Sequence, residues 1–429
     1  MITRRTFTNF ASFLLSKAGA IIFFIVGVRF FIHGAGQQEY GAINLVLVLY
    51  TYLWIADIGI GYAVNLRLGQ ALARQAETGD SRSTIAFVSN NLAKVAPFYL
   101  SIGLLVAVFG VIASDALSAA LFDERRYADL VTWTAMAAPA VMLSAMSGAV
   151  LRAHDRVYLV NATQLLLDAW RAGCMIALAT SADPAVAAGR AFFAGAVARA
   201  LLDVILLSRF AGWSWLIPQW NWGALAADLR TGAPTMGSLV ISSVFYSVDR
   251  VFAAKHFSLE GVAVYSLAAD LHTKAYFLLW AFNAALYQPL VARHALKANA
   301  QELAFFNLGG AALIGFIYYL PMSFFSNDII SLWINESSAA SAQPVVWAML
   351  PGSIGYLVAA SLENSYLRTR GLVLGPMLVH LAMLLSLIAG LSILPAYFGL
   401  AGIGWAHSLA NCIFAIGIAL LVALTRVKR

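Results

Sequence analysis

The chain has 429 residues, of which 61% are hydrophobic and only 11% charged, so it cannot cover itself with water-facing side chains as a soluble domain with about 25% charged residues does. A water-soluble enzyme or binding module is therefore excluded, and a polytopic membrane protein is the expected class. The net charge of +7 points to a cytoplasmic membrane face rather than to nucleic acid, and two isolated cysteines, Cys174 and Cys412, define no disulfide framework or thiolate metal site.

The N-terminus, "MITRRTFTNFASFLLSKAGAIIFFIVGVRFF", carries a twin-arginine pair. The apolar run behind it is long enough to span a bilayer and lacks a small-residue cleavage site, so it is read as a first transmembrane helix preceded by basic residues. Further runs of about 20 residues follow. The expected spans lie near 10–32, 41–64, 92–113, 130–151, 157–179, 187–208, 232–255, 262–290, 304–325, 344–367, 372–393 and 399–424.

Lysine and arginine orient these spans. The N-terminus and the connections after the even-numbered spans hold 17 of the 27 basic residues, and the opposite connections hold only Arg125, Arg126 and Lys255. By the positive-inside rule both termini are expected in the cytoplasm. The outer connection "DERRYAD" flanks its two arginines with acids. The connection 209–231 is rich in tryptophan (Trp213, Trp215, Trp220, Trp222) and reads as a cytoplasmic interfacial linker. It divides an N-terminal six-helix lobe, 1–208, from a C-terminal one, 232–429.

Six spans per half allow the halves to be parallel repeats. "HGAGQQEYGAINLVLVL" after the first span matches "KHFSLEGVAVYSLAADL" after the seventh with an offset near 222. "VLRAHDRVYL" after the fourth matches "YLRTRGLVLG" after the tenth with an offset of 216.

With "GVAVYSLA" at the start of the eighth span, "YGAINLVL" at the start of the second and the basic turns "LRAHDR" and "LRTRG", the chain resembles the multidrug/oligosaccharidyl-lipid/polysaccharide exporter superfamily. The resemblance is to its polysaccharide-transporter branch, the O-antigen-type lipid-linked oligosaccharide flippases, and it covers nearly the whole chain. It implies an all-α integral membrane fold with twelve transmembrane helices in two parallel-repeat six-helix lobes around a central cavity. It also implies alternating access that moves an undecaprenyl-pyrophosphate-linked glycan outward for surface polysaccharide (lipopolysaccharide) biosynthesis in the bacterial inner membrane. Membrane lipids and glycan polymerase machinery are the partners so implied.

Seven basic residues (Lys17, Arg29, Arg171, Arg190, Arg199, Arg250, Lys274) and six acids (Asp57, Asp168, Asp203, Asp249, Asp270, Glu363) fall within the expected spans. A charge at a helix centre costs about 3 kcal/mol even on a mild scale, so these groups must pair, snorkel or face water. Asp168/Arg171, Arg199/Asp203 and Asp270/Lys274 have the spacing of same-face pairs. Lys17 and Asp57 lie at equal depth on different spans and are expected to meet. Arg29 and Arg250 occupy equivalent places in the two halves, where they either snorkel or receive a phosphate bidentately. The candidate pyrophosphate and glycan contacts are thus Lys17, Arg29, Arg171, Arg199, Arg250 and Lys274, and the candidate ion-coupling acids are Asp57 and Asp270, with H⁺ or Na⁺ as the ion. His380 and His407 stand alone within spans, as packed histidines usually do.

No His-Glu-x-x-His or Gly-Lys-Ser/Thr signature points to a metal, a cofactor or ATP hydrolysis. The competing readings are a cation-coupled multidrug extruder of the same superfamily and a membrane glycan polymerase or ligase, the latter disfavoured by short outer connections. A major-facilitator transporter is disfavoured because the connection after the second span lacks that family's Gly-Asp-Arg-Gly-Arg-like pattern.

Overall fold

The protein is described from a computed structural model covering residues 4–55, 57, 60–61, 63–65, 67–68, 81–122, 124–154, 156–295, 301–368, 372 and 374–427. Asp123 of "DERRYAD", Asp155 of "LRAHDR", Arg370 of "LRTRG" and the 69–80 stretch of the second connection lie outside these residues. The described chain is helical, with no strand. Its helices are α1 (Arg4–Ala35), α2 (Gln37–Ile55), α3 (Ser81–Ile112), α4 (Ser114–Phe122), α5 (Ala128–Met136), α6 (Ala138–Ala153), α7 (Val157–Leu178), α8 (Pro184–Ala211), α9 (Trp222–Phe257), α10 (Leu259–Ala295), α11 (Gln301–Trp333), α12 (Glu336–Leu362), α13 (Leu374–Ile393), α14 (Pro395–Phe398) and α15 (Leu400–Val427).

Helix covers the greater part of each of the twelve expected spans. Among the described residues, eight helical stretches are long and apolar enough to cross a membrane by themselves. The expected spans outside that set are 41–64, 157–179, 232–255 and 262–290, which hold Asp57, Asp168, Arg171, Asp249, Arg250, Asp270 and Lys274. The chain is a multi-pass integral membrane protein.

Two compact units partition the chain. One comprises residues 11–35 and 45–239, the other residues 1–10, 36–44 and 240–429. In the first, called here the N-terminal unit, α8 packs on α5, α6 and α7, and α3 packs on α5 and α6. Helix α1 lies along α7 through small residues: a Cβ on Gly27 would stand 3.1 Å from Ala172 Cα, and one on Gly34 would stand 2.6 Å from Ala179 Cβ. Helices in lipid gain nothing from excluding water and associate by such close packing.

In the other, C-terminal unit, α12 packs on α10, α11 and α15, and α15 also packs on α13. Gly352 of α12 approaches Ser408 of α15 so closely that a Cβ would lie 2.4 Å from Ser408 Cα, and Ser408 Oγ accepts the Gly352 N–H at 2.7 Å. The short segment 36–44 belongs here because Gly41 abuts the start of α10, where a Cβ would fall 2.1 Å from the Leu259 carbonyl oxygen.

The helix breaks carry the internal repeat. Gly36 between α1 and α2 has φ +91°, and Ser258 between α9 and α10 has φ +96°. These positions are 222 residues apart. Each is a one-residue interruption in a left-handed conformation, glycine in one half and a strained serine in the other. Toward its end, α12 passes into a π-helix over Glu363–Leu367, where Glu363 accepts from Arg368 Nε at 2.7 Å and its Oε2 lies 3.2 Å from His380 Nε2.

Candidate functional site

The N-terminal unit contains a small cavity of about 50 Å³ lined by Tyr50, Val141, Ser144, Gln164, Leu167, Arg171, Ala196 and Arg199. Its polar wall comes from α7 and α8. Helical spacing puts Gln164, Asp168 and Arg171 on one face of α7, and Arg199 and Asp203 on one face of α8. Gln164 Nε2 donates to Asp168 Oδ1 at 2.9 Å, and Arg199 Nη1 donates to Gln164 Oε1 at 2.5 Å. Arg199 also lies 3.4 Å from Asp203, with the pair almost wholly buried at 7% and 3% side-chain exposure. Arg171 is held more loosely. Its Nη1 is 4.0 Å from Asp168 Oδ1, and its guanidinium sits over the rings of Tyr50 and Phe192 at 5.0 and 5.6 Å. Among the described residues its Nε has no hydrogen-bonding partner.

Lys17 on α1 faces Asp168. Three cations, Lys17, Arg171 and Arg199, therefore surround two carboxylates, Asp168 and Asp203. Amide, hydroxyl and aromatic groups complete the wall. Such a pocket offers an anion one bidentate guanidinium with an unused donor and a neutral rim able to hydrogen-bond hydroxyls.

The expected meeting of Lys17 with Asp57 does not occur. Asp57 instead accepts from the Tyr99 hydroxyl and from the Gly61 N–H, and faces Arg152. Equal depth on two spans says nothing of which faces oppose each other, and α1 presents Lys17 to α7. Arg152, at the end of α6, stands solvent-exposed in the same unit and faces Asp57, Tyr99 and Arg199.

Arg29 is exposed toward the C-terminal end of α1, and its carbonyl oxygen lies 2.8 Å from His33 Nδ1. Arg250, its expected counterpart, is in the other unit. There its Nη2 donates to Asp270 Oδ1 at 2.9 Å, a pair with 16% and 10% side-chain exposure. Arg250 is thus held by a neighbouring acid rather than open at an end of its helix. The buried Lys274 lies one turn beyond Asp270 on α10, with Nζ 5.3 Å from the Phe277 ring centroid. Of the six candidate cations, the structure brings Arg171 and Arg199 to one cavity with Lys17 beside them, and places Arg29, Arg250 and Lys274 elsewhere.

Gln164, Tyr50 and Ser144 were missed because they carry no charge. The one available signal was Gln164 four residues before Asp168 in an otherwise apolar helix, a spacing at which amide and carboxylate meet. Among the described residues, no group of three or more His, Cys, Asp or Glu side chains is arranged to hold a metal.

The fold is that of the transporters of the MOP superfamily. The chain is similar to an inward-facing multidrug-resistance MATE transporter of that superfamily, with TM-score 0.79, 13% identity and 96% of each chain covered. It is also similar to the lipid II flippase MurJ in an inward closed conformation, with TM-score 0.75, 14% identity, 96% of this chain and 87% of that one covered. A third similar structure, with TM-score 0.73 and 13% identity over 99% and 96% of the two chains, is a MOP superfamily transporter from Pyrococcus furiosus. Reversed polarity of its binding pocket is described as suggesting a different function. By sequence, the chain matches no protein-family model and no curated protein.

Proposed function

We propose that this protein is a flippase that moves an undecaprenyl-pyrophosphate-linked oligosaccharide from the cytoplasmic to the outer leaflet of the inner membrane, by alternating access, for surface polysaccharide biosynthesis. The observation that carries the reading is the cavity between α6, α7 and α8. It holds Arg171 and Arg199, with Lys17 close by, and is rimmed by Gln164, Ser144 and Tyr50. Guanidinium groups match phosphate oxygens in geometry and charge, and amide and hydroxyl groups match a glycan. The 17-to-3 bias of basic residues supports an orientation with both termini in the cytoplasm, the side from which such a lipid is loaded.

A cation-coupled multidrug extruder is the second reading, favoured by the likeness to a multidrug MATE transporter. The local surplus of cations weighs against it, because a cationic drug entering this cavity would meet like charges at short range.

Depletion of the protein separates the two. The flippase reading predicts lipid-linked oligosaccharide accumulating in the cytoplasmic leaflet with unchanged efflux of a cationic dye. Normal lipid-linked intermediates with impaired dye efflux would contradict it.

A further inference from the structure

Arg190 of α8 and Asp129 of α5 meet at the end of the N-terminal unit where the connection "DERRYAD" enters α5. Small residues permit it. Ala188 is fully buried, and a Cβ on Gly189 would stand 2.5 Å from Leu130 Cδ1, so helix α8 lies close against the start of α5. Arg190 Nη2 then stands 4.0 Å from Asp129 Oδ2, with 59% and 71% of the two side chains exposed. That separation is ion-pair range but too long for a hydrogen bond. An exposed pair held so loosely contributes little and costs little to open.

Aromatic rings lie beneath this pair. The Arg190 guanidinium sits 5.6 Å from the Trp133 ring centroid, and the Trp133 and Phe193 centroids are 5.4 Å apart. Trp133 follows Asp129 by one turn on α5, and Phe193 follows Arg190 by about one turn on α8. The two helices thus run side by side in the same direction, with charged tips in one layer and half-buried rings about 5–6 Å deeper. Tryptophan settles at headgroup depth, so the stack matches a membrane–water boundary. The surroundings are neutral in sum. In the sequence Arg125, Arg126 and Arg190 are matched in number by Asp123, Glu124 and Asp129, and Arg126 Nε is held by Glu124 Oε2 at 2.5 Å. Clusters that select anionic lipids are basic, and this one is not. It offers one cation and one carboxylate, both exposed and 4.0 Å apart.

We propose that Arg190, Asp129, Trp133 and Phe193 form a binding site for a zwitterionic aminophospholipid of the phosphatidylethanolamine class. Arg190 donates to the phosphate and Asp129 accepts from the primary ammonium, which a short ethylene link holds a few ångströms from that phosphate. Trp133 and Phe193 pack against the glycerol and the upper acyl chains. A quaternary ammonium has no N–H to give Asp129, and a glycerol headgroup brings no cation to it. The orientation drawn from the basic residues puts this site in the outer leaflet. Arg190 precedes Arg199 by nine residues, about 14 Å along α8, so the site is separate from the cavity, and it does not depend on what the protein transports.

The test is native mass spectrometry of the purified full-length protein, released from nanodiscs holding equal parts of phosphatidylethanolamine, phosphatidylcholine and phosphatidylglycerol. Wild type is expected to retain phosphatidylethanolamine over phosphatidylcholine by about threefold, the ratio an exposed ion pair supports, and Asp129→Asn to bring that ratio to about one. Arg190→Gln is expected to lower retention of phosphatidylethanolamine itself. Both side chains are exposed, so neither substitution touches the core. Arg125→Gln, at a nearby exposed arginine outside the site, is expected to leave the ratio unchanged. Equal retention of the ethanolamine and choline lipids by wild type overturns the proposal. So does a preference for phosphatidylglycerol, a ratio that survives Asp129→Asn, or a loss in Arg125→Gln equal to that in Arg190→Gln. Failure of the flippase reading leaves these ratios unaffected.

Discussion

Arg199 of α8 and Asp168 of α7 do not touch, yet they are joined: Gln164 accepts from Arg199 Nη1 at 2.5 Å and donates to Asp168 Oδ1 at 2.9 Å. A neutral amide thus ties together two charge pairs on adjacent helices, Asp168/Arg171 and Arg199/Asp203. It also orients the donors of Arg199 toward the cavity wall. Replacing Gln164 by leucine leaves a buried guanidinium and a carboxylate each short of one partner, at a cost of about 1–3 kcal/mol. Gln164→Leu is therefore expected to lower surface glycan without lowering membrane abundance of the protein. Gln164→Glu, which adds an anion to the cavity, is expected to lower it further. Glycan immunoblots normalised to protein level check both.

The Arg250–Asp270 pair makes a different prediction. It is part-buried and bridges α9 and α10, so removing one partner strands a charge in a low-dielectric interior, at about 3–5 kcal/mol. Asp270→Asn is expected to lower the thermal unfolding temperature in detergent. The double variant Arg250→Met/Asp270→Leu is expected to recover much of the loss, because it removes both charges together. If Arg250 and Asp270 were independent, the two effects would simply add.

Ser258 supplies a test of the internal repeat. It adopts φ +96° where the equivalent position in the first half is Gly36 at φ +91°. A left-handed conformation costs a non-glycine residue roughly 1–2 kcal/mol. Its hydroxyl returns little, accepting from the Gly261 N–H at a long 3.4 Å. Ser258→Gly is expected to raise the unfolding temperature, and Gly36→Val to lower it, both by scanning fluorimetry.

Much of the fold was legible in the amino-acid sequence because a bilayer imposes length. Apolar runs such as 372–393 or 399–424 are as long as the hydrocarbon core requires, and helices α13 and α15 fill them. Charge pairs within one helix were legible for a similar reason, since Asp168/Arg171 and Arg199/Asp203 follow from 3.6-residue periodicity. Pairs between helices were not. Arg250 finds Asp270 twenty residues away, and Lys17 faces Asp168 instead of Asp57, because those choices depend on which helix faces oppose each other. Small residues decide that, as Gly27 and Gly34 do by letting α1 lie against Ala172 and Ala179 of α7. A bulky residue at Gly27 must separate the two helices. Gly27→Leu is expected to destabilise the protein by several kcal/mol, as overpacking and loss of the α1–α7 contact combine. Thermal unfolding in detergent reads this out.

The central claim is that Arg171 and Arg199 receive a pyrophosphate headgroup. Its most direct measurement is binding of undecaprenyl pyrophosphate to the purified full-length protein, compared among wild type, Arg171→Gln, Arg199→Gln and the corresponding lysine variants. Charge-assisted hydrogen bonds are each worth about 1.5–3 kcal/mol, so each glutamine variant is predicted to bind at least about tenfold more weakly, with lysine restoring only part of the loss. Wild-type affinity in both glutamine variants would contradict the account.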